Sequence, residues 1–235
     1  MAVREAQTID LQVVFFASTW AQRLTRVLGA TIAPNNSVTN QAYLGQSAEA
    51  ASIHAVGYSV DFSTLYDSGE TDFLRTQSQE VTNPMVVLFD EDDVLKHFWM
   101  AEANILSLGE EAPQTDAITD PFSTPISDIP IYGLGASSVT RLEFTADNSM
   151  INLPDFSKDA EVYVVMEEVG DGLTEFTITA GVNVLRVPIA APSGHKVELP
   201  AAFPANVSGA TIEVAAARTG KGFVFIGEKE MLPSG

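Results

Sequence analysis

The side chains that could do chemistry are few and scattered. The three histidines, His54, His97 and His195, have no His-x-x-x-His or His-Glu-x-x-His spacing, so a metal site built on them needs convergence from distant parts of the chain. His97 precedes Phe98 and Trp99 and reads as an amphipathic helix residue rather than a ligand. Asp90-Glu91-Asp92-Asp93 offers the oxygens a calcium ion takes, but the sixth position of an EF-hand loop would be Leu95 where the turn requires glycine. The run reads instead as the acidic first turn of a helix, with a cation between subunits as the functional alternative.

Nucleophile and phosphate motifs fail in the same way. Gly133-Leu134-Gly135-Ala136-Ser137 lacks the final glycine and the strand-to-helix setting of a nucleophile elbow. Gly220-Lys221-Gly222 has neither the upstream glycine nor the following Ser or Thr of a P-loop and reads as a turn. No glycine-rich turn has the setting of a dinucleotide fingerprint. Paired carboxylates of a glycosidase are defined by a spacing that only a structure shows. Two sequons, Asn35-Asn36-Ser37 and Asn206-Val207-Ser208, fall in turn-like segments and are candidates for glycosylation. No catalytic, cofactor-binding or metal-ligating residue is assigned, no cofactor is expected, and the chain does not read as an enzyme.

The elements that would position any site must come from a strongly acidic chain. Its 235 residues carry 12 Lys+Arg against 31 Asp+Glu, a net charge of −19, with 46% hydrophobic residues and no cysteine. That apolar content excludes a disordered chain. The charge repels phosphate, so no direct nucleic-acid partner is expected, nor an anionic membrane face. An acidic shell suits concentrated salt, where the Debye length shrinks to about 3 Å at 1 M. Without cysteine there are no disulfides or thiolate sites. The first ten residues lack the pattern of a secretory signal, Val13 to Ala17 is too short for a membrane span, and the expectation is a soluble chain made in the cytosol.

Residues 1–130 mix strand and helix signals. Ile9, Leu11, Val13 and Phe15 alternate at period two, as a half-buried strand does. Apolar positions 20, 24, 27 and 28, followed by Gly29, predict a short helix over Trp20 to Leu28. Ser52 to Phe62 reads as a strand, Met85 to Phe89 as a strand covered on both faces, and Val94 to Ala101 as a second helix. Glu110 to Pro130 carries four prolines and no period, which marks it as a connection or surface excursion.

Residues 131–235 read as nearly pure strand and turn. Strand-like runs span Arg141 to Thr145, Glu161 to Val165, Thr174 to Thr179, Asn183 to Ile189, His195 to Leu199, Thr211 to Ala215 and Gly222 to Ile226. Their spacing predicts an antiparallel β-sandwich or jelly-roll barrel, with Gly170-Asp171-Gly172 as the strongest hairpin signal. The fold class expected is mainly β, of jelly-roll or β-sandwich architecture, with two β-barrels and a few short helices, divided as 1–130 and 131–235.

Short β runs, a proline-rich excursion, no cysteine and no catalytic motif together resemble virion proteins. The family that the chain resembles, in length, acidity and architecture, is the single jelly-roll major capsid proteins of icosahedral, internal-membrane viruses of halophilic archaea, and among them the larger, two-barrel type. The resemblance implies a capsid subunit located in the virion, assembled in the host cytoplasm, with copies of itself and a second related capsid protein as partners. It implies no membrane insertion and no small-molecule substrate, and it transfers no site residue. A tail-tube, baseplate or decoration protein of a tailed virus is an alternative, and a carbohydrate-binding or glycan-active β-sandwich protein is the alternative from another class.

Overall fold

A computed structural model of the chain describes residues 11–17, 20–24, 27–41, 50–65, 69, 85–92, 95–102, 107–108, 119–126, 131–134, 139–189 and 191–229. Gly69 is helical, and the other elements among them are strands. In chain order these are β1 (Leu11–Ala17), β2 (Trp20–Leu24), β3 (Val27–Gln41), β4 (Ala50–Leu65), β5 (Met85–Asp92), β6 (Leu95–Glu102), β7 (Ser107–Leu108), β8 (Thr119–Ile126) and β9 (Ile131–Leu134). They continue with β10 (Val139–Phe144), β11 (Met150–Asn152), β12 (Phe156–Ser157), β13 (Glu161–Val169), β14 (Glu175–Ala180) and β15 (Asn183–Pro188). The last four are β16 (Ser193–Val197), β17 (Asn206–Val207), β18 (Thr211–Val214) and β19 (Gly220–Lys229).

The chain divides into two compact units. One comprises residues 1–25, 84–100 and 131–235, the other residues 26–83 and 101–130. Residues 131–235 therefore share a unit with two earlier segments, β1–β2 and β5–β6.

Residues 139–229 form an eight-stranded jelly roll with two small strands added. One sheet runs β10-β19-β13-β16 and the other β11-β18-β14-β15, every pair antiparallel. Numbering the eight strands of the roll in chain order gives sheets 1-8-3-6 and 2-7-4-5, the doubled Greek key of a jelly roll. Small strands β12 and β17 pair beside the two sheets. Between the sheets lies a core that includes Leu142, Phe144, Val162, Val164, Met166, Phe176, Ile178, Ile212 and Val224. The alternation of β14 puts Phe176, Ile178 and Ala180 inward while Glu175, Thr177 and Thr179 stay partly exposed. Full burial of a side chain such as Phe176 stabilises the roll by about 2–3 kcal/mol.

Strand β13 is buried from Val162 through Met166, with no alternation. The reason is a second core on its other face, where Tyr163, Val165, Phe223 and Phe225 meet Met100, Ile131 and Val139. The sheet carrying β13 extends past β19 through β9, β6, β5, β1 and β2. It curls as it goes, bringing Cα atoms of β2 within 8 Å of β13 and β16. One sheet thus serves both the jelly roll and a second layer, a barrel-like wrap around the second core.

The other unit is a four-stranded antiparallel sheet, β3-β4-β8-β7. Phe62 and Phe122 are register partners across β4 and β8, both buried, with stacked rings 4.9 Å apart.

Several local expectations are corrected. The helices expected over Trp20 to Leu28 and Val94 to Ala101 are strands: β2 pairs with β1, β3 begins at Val27, and β6 pairs with β9. Leu95 to Ala101 has apolar residues at both odd and even positions, a pattern shared by a buried helix and by a strand within a sheet, and distant pairing partners decide between them. The proline-rich stretch 110–130 contains β8, paired with β4 throughout and with β7 only at Phe122 and Ser123. Pro121 and Pro125 flank that short contact, so neither is asked for a ladder donor on that side.

Gly170-Asp171-Gly172 makes a turn but not a hairpin, because β13 and β14 belong to opposite sheets. It is a corner held against residues 218–219: Gly170 N donates to the Thr219 carbonyl at 2.9 Å, and Arg218 Nη1 donates to the Asp171 carbonyl at 3.2 Å. The tight hairpin of the roll lies between β14 and β15, where Ala180 pairs with Asn183 across Gly181-Val182. Gly181 has φ +61° and Val182 does not share the positive φ, the pattern of a type II′ turn.

Candidate functional site

The structure distributes the histidines over three strands. His54 is on β4 opposite Ser37, His97 on β6 opposite Leu134, and His195 on β16 opposite Val164. Among the described residues no group of three His, Asp or Glu side chains could hold a metal ion. Asp90 to Asp92 close strand β5, with Asp90 opposite Leu11, so the expected helix start is the end of a strand. Gly133-Leu134 lies on β9 and residues 135–138 lie outside the described ones.

His195 does have a polar partner. Its Nε2 lies 2.8 Å from Ser193 Oγ, and Ser193 Oγ donates to the Ala191 carbonyl at 2.9 Å. That leaves the imidazole proton on Nε2, donated to Ser193. Burial holds the His195 pKa below its ordinary value, and Phe176 meets the ring edge-on at 6.1 Å. A Ser–His pair is the beginning of a nucleophile and its base, but Ser193 is only 3% exposed and its proton is directed away from the imidazole. The pair fastens the start of β16 and offers no nucleophile to solvent.

A shallow, open depression of about 390 Å³ lies along β12 and β17, lined by Asp155, Phe156, Ser157, Asn206, Val207 and Ser208. Asn206 and Ser208, the ends of the second sequon, are both exposed there. The first sequon lies on β3, so its turn-like setting is replaced by a strand.

The feature that sequence reasoning missed is the ribbon of β3 and β4. Its register runs from Val27–Thr64 to Gln41–Ala50, roughly 48 Å at about 3.4 Å per residue. Strand β8 accompanies β4 only from Tyr58 to Leu65. Beyond that point, among the described residues, β3 and β4 have only each other. The departure is marked by a bulge, where Asn35 pairs with Gly57 but Asn36 with Ala55, leaving Val56 over. No Asp, Glu, Lys or Arg occurs from Val27 to Ala48 or from Ala50 to Val60. That gap in the charge pattern was the available signal.

An isolated two-stranded ribbon is marginally stable in water, and natural edge strands are usually blunted by charge, proline or a bulge. Here the outer half follows both Pro34 and the bulge and carries no charge of its own. Such an arrangement does no covalent chemistry; it can accept another strand. The surface of the roll differs, with each of Arg186, Lys196 and Lys221 paired to a glutamate at 3.3, 2.8 and 2.9 Å.

No family model matches the chain, and no curated protein matches it. Among solved structures, a chain from the cryo-EM structure of the anti-feeding prophage (AFP) baseplate, 6-fold symmetrised, is similar with a TM-score of 0.38 and 12% identity. The match covers 57% of this chain and 97% of that one. At that similarity neither fold nor role is carried over.

Proposed function

We propose that the chain is a structural subunit of a virus particle, most specifically a capsid subunit that works in many copies. The observation that carries this reading is the jelly-roll order of residues 139–229, two four-stranded sheets in the connectivity that capsid domains, lectins and cupins use. Fold alone does not choose among these. The residues of the roll favour the first. It contains a single histidine, His195, engaged with Ser193, so a cupin-like set of histidine ligands has no source within it. Its aromatic residues Phe144, Tyr163, Phe176, Phe203, Phe223 and Phe225 are buried and Phe156 is half-buried, so it presents no exposed aromatic platform for a sugar.

The free ribbon and the acidic surface fit a subunit that meets its neighbours through strand edges. The finer reading is the larger capsid protein of a halophilic, internal-membrane virus, with a second related protein as partner; a tail-tube, baseplate or decoration protein is the alternative within the same class. Sedimentation velocity across a salt series tests it. Assembly should strengthen from 0.1 M toward molar salt as repulsion between copies of charge −19 is screened. A chain that stays monomeric throughout and binds on a glycan array would replace this reading with the carbohydrate-binding one.

A further inference from the structure

The seven residues after Pro34 form a palindrome by chemical class. Outward from Val38 stand Ser37 and Thr39, then Asn36 and Asn40, then Asn35 and Gln41: hydroxyl matched with hydroxyl, then amide with amide twice. They occupy the part of β3 that has left β8 behind, with β4 along one edge and, among the described residues, no strand along the other.

We infer that this free edge pairs antiparallel with the same edge of a second copy, about a twofold axis at Val38. The inference builds on the assembly reading above and names one of its contacts. A twofold contact must be complementary to itself. In this register Ser37 faces the partner's Thr39, Asn36 faces the partner's Asn40, Asn35 faces the partner's Gln41, and Val38 faces the partner's Val38. Carboxamides donate and accept, so each satisfies its own kind, and Ser–Thr pairs across strands are favourable. An unrelated partner strand would give no reason for the mirrored order.

Charge points the same way. Two copies of net charge −19 repel, and like charges directly opposite each other in a sheet are destabilising. The palindrome lies in the longest stretch of the two strands without a charged residue, so it is where the copies approach at least cost. Pro34, which has no N–H, bounds the pairing on one side, and β3 ends at Gln41 on the other. Pairing would convert two marginal two-stranded ribbons into one four-stranded sheet.

The chain has no cysteine, so introduced thiols report contact without background. Directly opposed strand residues have Cα atoms about 4.5–5.5 Å apart, within disulfide reach. Under mild oxidation Val38→Cys should convert most of the protein to a covalent dimer. Ser37→Cys and Thr39→Cys should each give little alone and a dimer when mixed, which fixes the register and decides the matter if Val38→Cys loses its β-type circular dichroism. Val182→Cys, 95% exposed at the β14–β15 turn, controls for random collision. If the wild type sediments as an oligomer while neither Val38→Cys nor the mixture cross-links, or if Val182→Cys cross-links equally, this contact is wrong and the assembly reading stands. If the wild type is monomeric at every salt concentration, both fail.

Discussion

Ser193 and His195, two residues apart on the same face of β16, hold each other through a 2.8 Å hydrogen bond between Oγ and Nε2. Burial of the imidazole gives the jelly roll a dependence on pH. Burial lowers the His195 pKa below 6.5, so the folded chain resists the proton that the unfolded chain accepts. Above pH 6.5 both forms are neutral and the native environment costs nothing. As pH falls below 6.5 toward the folded-state pKa, unfolding gains a proton and stability is lost. Urea denaturation of the wild type should show this loss, and His195→Gln should flatten it across that window. Equal pH dependence in the two proteins would show that His195 is not the source.

Close approach of two strands at Gly222 makes a second prediction. A Cβ there would run into the backbone carbonyl of Val165, which no rotamer change relieves, whereas a Cβ on Gly181 meets nothing within 4 Å and carries only the strain of φ +61°. Gly222→Ala should cost about 3 kcal/mol by overpacking and Gly181→Ala about 1 kcal/mol by backbone strain. Denaturant midpoints at equal m-value check the order; a reversed order would mean that β13 and β19 are less closely apposed.

The shared sheet predicts the behaviour of residues 131–235 expressed alone. The jelly-roll core is intact in that fragment, so it should keep a β-type circular dichroism spectrum. It would lose β6, and with it Met100, from the core formed with Tyr163, Val165, Phe223 and Phe225. The fragment should therefore bind a hydrophobic dye that the whole chain does not. A fragment that melts cooperatively and binds no dye would show that the second core does not depend on the earlier strands.

Strands were legible wherever one face is buried and the other is wet. Phe176, Ile178 and Ala180 alternate with polar residues, and Thr174 to Thr179 was read as the strand it is. All seven runs expected in residues 131–235 have a strand at or beside them, because short alternating segments bounded by Gly, Asn and Pro leave little choice. Which strands pair is not local information. Gly170-Asp171-Gly172 has hairpin chemistry but turns the chain from one sheet to the other, since β13 has β19 and β16 as its neighbours. The segments at Trp20 and Leu95 failed for the same reason: their apolar spacing fits a helix face until β1 and β9 claim them as strands. The absence of charge between Arg26 and Glu49 was visible, but without the register that leaves β3 an open edge it had no structural meaning.

The most direct test of the account is electron microscopy of the purified full-length chain, concentrated in molar salt. A structural subunit that works in many copies should appear in closed, symmetric assemblies in which each copy touches neighbours on several sides, with paired β3 edges at the twofold contacts. A field of single, well-folded monomers under those conditions would contradict it.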